Sequence, residues 1–115
     1  MRNLIKTEAY DSFFASLPEK VKTKIDYVAN IIIQFKVVNT KFVKKLDNSE
    51  YYEMRISVDN EYRVLLYPMD NQNLIEAQEV LMLNGFLKKS TGDYKMQIAI
   101  ADRIMKSFSV KADMK

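Results

Sequence analysis

Two arginines, Arg55 and Arg63, stand on the arms of a hairpin-like stretch, "EMRISVDNEYRVLLY", over residues 53–67. An arginine fork matches phosphate geometry and holds it through paired N–H groups. Two forks on one sheet face can hold a single phosphodiester, provided the hairpin register places them together. Lys41, Lys44 and Lys45 precede the hairpin, and Lys88 and Lys89 follow the next long apolar stretch. Tyr51, Tyr52, Tyr62, Tyr67 and Tyr94 add rings of the kind that stack on bases. Arginines on an open sheet face often only keep that face soluble, and Glu53 can pair with either one. The neighbouring lysines and tyrosines weigh toward phosphate binding, except Tyr52 and Tyr62, whose spacing places them on the core face.

Composition narrows the chemistry. The chain has 115 residues, enough for one domain over 1–115, with 48% hydrophobic and 29% charged residues. It contains no His and no Cys. Zinc sites of the usual kind, thiol and imidazole nucleophiles and disulfides are excluded. No cofactor or metal is expected. A net charge of +3 is mild, so clustering rather than bulk charge must argue for nucleic acid. The sequence has neither a membrane-length apolar run nor a signal-peptide pattern, which makes a cytoplasmic location the default expectation.

The elements that must position these residues are legible as periodicities. Asn3–Lys6 suits a short strand, and Tyr10, Phe13, Phe14 and Leu17 form a helical stripe. Ser16 and Glu19 have capping-box spacing with Pro18 in the first turn of a second helix. Its stripe is Val21, Ile25, Val28, Ile32 and Phe35. A basic connection, "VVNTKFVKKLDNS", leads to strands predicted over 51–58, 62–68 and 78–87. Asp93 is placed to cap a last helix with Tyr94, Ile98, Ala101, Met105 and Phe108 on one stripe, and 109–115 reads as a fraying tail. The expected architecture is α+β: a small antiparallel sheet with two N-terminal helices and a C-terminal helix, the helices covering one face.

Hairpin register decides whether the arginines meet. A two-residue loop at Asp59–Asn60 pairs Ile56 with Arg63 and mixes apolar and basic side chains on both faces. A three-residue loop, Asp59–Glu61, pairs Val58 with Tyr62, Ile56 with Val64 and Met54 with Leu66. One face is then wholly apolar, and the other carries Glu53, Arg55, Ser57, Arg63, Leu65 and Tyr67. Burial favours the second register, because a one-residue slip inverts every side chain. Asn60 is the residue expected to take the left-handed conformation. Arg63 should then lie across from Ser57 and diagonal to Arg55, on the face opposite the helices. Mutual repulsion would make the domain at least as stable without Arg63.

The "E-x-R" strand at Glu53–Arg55, "EYRVLLY" from Glu61 and the strand end "GFLKK" from Gly85 form an ordered set. With it, residues from about Tyr10 to Phe108 resemble the RelE/HigB/ParE toxin superfamily of type II toxin–antitoxin systems, most of all its phage-derived HigB-like branch. The resemblance implies a RelE-like fold and a small toxin that docks in the ribosomal A site and cuts mRNA, neutralised by a cognate antitoxin. It also implies that Arg55 and Arg63 hold and neutralise the scissile phosphate. Lys88 or Lys89 matches a basic position after the last strand, and Tyr94 a C-terminal Tyr used in the reaction. Gly92, Asp93, Tyr94 and Gln97 depart from the Lys, Thr-Pro and Glu frequent in that branch, and Glu53 stands where some RelE-type nucleases carry Lys.

Metal-independent RNA cleavage proceeds by attack of the 2′-OH on the adjacent phosphate and departure of the 5′-oxygen. Arg55 and Arg63 suit neutralisation of the phosphorane. Without His, the acid and base must be Glu53, a Lys or Tyr94, and clustered positive charge is expected to depress a Lys or Tyr pKa. Lys41, Lys44 and Lys45 are candidate RNA contacts. A ribosome-dependent mRNA endonuclease is the leading expectation. The alternatives on this scaffold are a ParE-like inhibitor of DNA gyrase and a non-toxic binding module.

Overall fold

The computed structural model describes the backbone of residues 1–113 and the side chains of 1–108. Five strands form one sheet: β1 (Asn3–Lys6), β2 (Val43–Lys45), β3 (Tyr52–Val58), β4 (Asn60–Pro68) and β5 (Glu79–Leu87). Their order is β1-β5-β4-β3-β2. Strands β2 to β5 run as an antiparallel meander, and β1 adds to the far edge parallel to β5. Helices α1 (Glu8–Ala15) and α2 (Glu19–Gln34) connect β1 at one edge to β2 at the other. Helix α3 (Asp93–Asp113) closes the chain, so the tail over 109–115 lies beyond the described side chains. No helix among the described residues is long and apolar enough to cross a membrane.

Local chemistry accounts for the helix starts, with two corrections. Thr7 caps α1, its hydroxyl accepting from the Tyr10 N–H at 3.2 Å and donating to the Met82 carbonyl at 2.7 Å. Ser16 does not cap α2; it ends α1 and donates its hydroxyl to the Phe13 carbonyl, leaving Pro18 at the start of α2 with no side-chain cap. The α2 stripe of Val21, Ile25, Val28 and Ile32 is buried as its spacing predicts, but Phe35 falls just past the helix and is exposed.

The helices cover both faces of the sheet, not one. Helices α1 and α2 pack on Met54, Ile56, Val64, Leu66, Val80 and Met82. Helix α3 lies on the other face, where Ala101, Tyr94, Ile98 and Met105 meet Leu65, Leu81, Leu83 and Phe86. The face expected to be open is therefore a second, smaller core. A bulge in β5 between the partners of Val64 and Leu66 adds one residue and turns Asn84 toward Gln97 of α3. Next to it, Gly85 admits the Phe13 ring so closely that a Cβ would sit 2.2 Å from Phe13 Cδ2.

Arg2 ties the frame together at a distance. It is buried and donates to the carbonyls of Ile32, Phe35 and Lys36 at the end of α2, and of Leu74 and Ile75 in the β4–β5 connection. A guanidinium there meets carbonyls that the helix leaves unbonded and the negative end of its dipole.

Candidate active site

Strands β3 and β4 place the two arginines side by side. Arg55 pairs directly with Arg63, Ile56 with Tyr62 and Ser57 with Glu61. The expected diagonal relation is thus corrected by a shift of two residues. The chain reverses within Val58–Asn60, because Asp59 rather than Asn60 takes the left-handed conformation at φ 61°. A two-residue shift keeps every side chain on its face, so the expected grouping of Glu53, Arg55, Ser57, Arg63, Leu65 and Tyr67 holds.

Glu53 resolves the juxtaposition of like charges. Its Oε1 lies 3.5 Å from Arg55 Nε and its Oε2 lies 3.5 Å from Arg63 Nε. Tyr94, in the first turn of α3, donates its hydroxyl to Glu53 Oε2 at 2.5 Å and accepts from Arg63 Nε at 3.2 Å. Arg63 Nη1 donates to Glu61 Oε1 at 3.2 Å and to the Tyr62 carbonyl at 2.9 Å. Arg63 is 2% exposed and Glu53 4%, whereas the Arg55 side chain keeps 34% of its surface. The hydrogen bonds of Arg63 use Nε and Nη1 and leave Nη2 for another acceptor. The Tyr94 ring stands edge-on to Phe86, centroids 5.7 Å apart, which fixes where its hydroxyl points.

Burial pushes the Tyr94 hydroxyl above its ordinary pKa, and its bond to Glu53 pushes the same way. The expected depression by surrounding cations does not prevail for this residue. The Glu61 carboxyl is held below its usual range, first by the Ser57 hydroxyl at 2.6 Å and then by Arg63.

The lysines divide. Lys44 sits across from Glu53 on β2 and is exposed. Lys88 follows β5 with its N–H on the Glu61 carbonyl and its ammonium 5.8 Å from the centre of the Tyr94 ring. Lys89 is exposed, and its backbone N–H, like that of Ser90, is held by the Asp93 carboxylate. Asp93 thus braces the turn before α3 instead of capping the helix. Lys45 points to the opposite face, over Tyr52, and Lys41 lies beyond β2 against Phe42. Of the tyrosines, Tyr52 and Tyr62 pack toward α1 and α2, while Tyr51 and Tyr67 pack under α3. Tyr51 is anchored there by its hydroxyl on Asp102 Oδ1 at 2.6 Å. Among the described residues, no group of three or more carboxylates converges to hold a metal ion.

The family model of the phage-derived Gp49-like proteins matches residues 12–106, most of the chain and all of this cluster. The chain belongs to the Gp49-like family. No curated protein matches its sequence. Its structure is similar to RelE in the RelB-RelE antitoxin-toxin complex from Methanococcus jannaschii, with a TM-score of 0.54 at 17% identity, covering 78% of this chain and 96% of that one. This Gp49-like chain therefore has a RelE-like α+β fold, and the resemblance seen in its motifs is borne out.

Sequence reasoning saw Glu53 as a partner for one arginine or as a base, and missed that it bridges both. The signal was present, since Glu53 and Arg55 are two apart on a strand and so share a face. Gly85, isolated within a strand pattern, is the sequence signal for the bulge that turns Asn84 toward α3. Asn84 Oδ1 is the buried side-chain polar atom left without a partner among the described residues.

Proposed function

We propose that this chain is the toxin of a toxin–antitoxin pair and a metal-independent endoribonuclease that cuts mRNA on the ribosome. The observation that carries the reading is the pairing of Arg55 with Arg63 across one carboxylate, beside a tyrosine hydroxyl bonded to both Glu53 and Arg63. A phosphodiester approaching Arg55 and Nη2 of Arg63 takes over the acceptor role of Glu53. The freed carboxylate accepts the proton of the attacking 2′-OH. Both guanidiniums neutralise the phosphorane, and Tyr94 or the Lys88 ammonium supplies the proton that leaves with the 5′-oxygen. Preorganised charge of this kind lowers the barrier without reorganisation at the moment of reaction. The antitoxin partner is supported by the RelB-RelE complex that the fold resembles.

The test is brief induction in a bacterium followed by mapping of mRNA 5′ ends. Cuts inside translated codons are expected, and co-expression of a small neighbouring gene should restore growth. Arg55→Gln and Tyr94→Phe, which preserve most packing, should each lower cleavage by about 100-fold or more, the scale of losing one preorganised donor. DNA damage without codon cuts would assign the fold to gyrase inhibition instead.

A further inference from the structure

A second feature lies on the far side of Arg55, where the sheet edge meets α2. Tyr27 and Phe42 stand edge to face, 6.4 Å apart, and Tyr27 is 56% exposed. Lys24 Nζ lies 5.1 Å from the Tyr27 ring centre and 5.8 Å from that of Phe42, and Lys41 Nζ lies 4.9 Å from the Phe42 ring. Together with Arg55 and Ser57 these residues line a groove of about 310 Å³. No acidic residue is among its lining, and neither Lys24 nor Lys41 has a salt-bridge partner among the described residues. Two carboxylates touch its lining from outside: Glu53, 3.5 Å from Arg55 Nε, and Glu61, which accepts from the Ser57 hydroxyl at 2.6 Å.

One side of the groove is held by backbone hydrogen bonds. Lys41 and Phe42 sit on a turn fixed by Asn39, whose side chain accepts from the Lys41 N–H at 2.9 Å and whose carbonyl accepts from the Phe42 N–H at 2.9 Å. The Phe42 carbonyl in turn accepts from the Arg55 N–H at 2.7 Å. One hydrogen-bonded path thus connects the groove to the strand that carries Glu53 and Arg55.

We infer that this groove is a subsite for one nucleotide of single-stranded RNA, adjacent to the phosphate held by Arg55 and Arg63. The base stacks on Tyr27 against the edge of Phe42, and Lys24 and Lys41 flank its phosphate. An exposed ring rimmed by unpaired cations matches a ligand that offers a π-face and a negative charge together, which a nucleotide does. Arg55 is common to both places, so the RNA turns around the sheet edge at that residue. The inference deepens the cleavage reading and rests on it for the direction of the strand.

The experiment uses the full chain and a short single-stranded RNA carrying 2-aminopurine. Binding is followed by anisotropy and by quenching of that base, and codon cuts are mapped in parallel. Tyr27→Ala should weaken binding about 10-fold and abolish the quench, the scale of losing one base–aromatic stack. Lys24→Gln with Lys41→Gln should make the salt dependence shallower, by about 0.7 per lost phosphate contact. Thermal melting should show both variants as stable as the parent, since these side chains lie at the surface. Unchanged affinity and quench in Tyr27→Ala, with codon cuts by the parent intact, would overturn the subsite and leave the cleavage reading standing. Absence of codon cuts by the parent would remove the cleavage reading itself. Variants that bind RNA normally but lose a co-expressed protein partner would assign the groove to that partner and also overturn the inference.

Discussion

Replacing Arg63 by Ala should destabilise the domain, against the expectation drawn from the repulsion of two arginines alone. Arg63 is 2% exposed and meets Glu53, Glu61, Tyr94 and the Tyr62 carbonyl. Its removal leaves the buried Glu53 carboxylate with Arg55 at 3.5 Å and the Tyr94 hydroxyl. Stripping one partner from a buried ion pair costs about 3–5 kcal/mol, and the two remaining partners put this case near the lower end, about 3 kcal/mol. At about 4 °C per kcal/mol for a domain of this size, the melting temperature should fall by roughly 12 °C. Adding Glu53→Gln removes the stranded charge, so the double variant should recover about 2 kcal/mol relative to the sum of the singles. The assay is urea unfolding of the parent, both singles and the double, closed as a cycle. An Arg63→Ala variant as stable as the parent, or a coupling below about 0.5 kcal/mol, would show that Glu53 does not hold the arginines together.

Three further outcomes are expected. Gly85→Ala should cost about 1–3 kcal/mol by overpacking, because its Cβ would lie 2.2 Å from Phe13 Cδ2, and in a Phe13→Ala background, itself less stable, adding Gly85→Ala should cost little more in denaturant titrations. Arg2→Ala should cost about 3 kcal/mol, since each charge-assisted bond to a buried carbonyl contributes about 1.5–3 kcal/mol and water recovers only part. Arg2→Lys should restore less than half, for an ammonium cannot fork among five carbonyls. Alkaline pH should unfold the domain by way of its buried tyrosines. Burial raises Tyr10 from 10.0 to about 12 and also raises Tyr51 and Tyr94. A pKa raised by folding contributes stability that is complete below the unfolded value and fades as pH rises toward the folded one. Melting temperatures should therefore fall between about pH 10 and pH 12 in step with tyrosinate absorbance, and a flat profile across that window would contradict this.

How far the sequence could be read follows from what each residue depends on. The α2 stripe and the alternation in β3 are local patterns, so those elements and their inward faces were legible. The register was not, because pairing Ile56 with Tyr62 or with Val64 buries the same side chains, and only the conformation of Asp59 separates the two. The closed second face had a signal in "RVLLY" and "VLML", where consecutive apolar residues exceed what a one-sided sheet needs. Strand β2 is three residues long and two are lysines, so no periodicity announces it. The role of Arg2 depends on carbonyls near residues 32–36 and 74–75, brought together only by the finished fold. In the candidate site, Arg55, Arg63 and Tyr94 came from motif and face, while the groove at Tyr27 and Phe42 needed the packing of α2 against the sheet edge.

Glu53 acts as a counter-ion that cannot diffuse away. A free arginine in solution gathers mobile anions, and a phosphate that displaces them is resisted by added salt. At Arg63 the displaced anion would be covalently part of the protein, so a phosphate arriving there would free no anion from the arginine, and only the counterions of the incoming phosphate would return to the solvent. Ionic strength should then act less on the step at the buried pair than on the approach through Lys24, Lys41 and Lys88. Under the proposed function, the encounter with RNA would thus depend on its ionic surroundings more than the grip on the phosphate at Arg63 does.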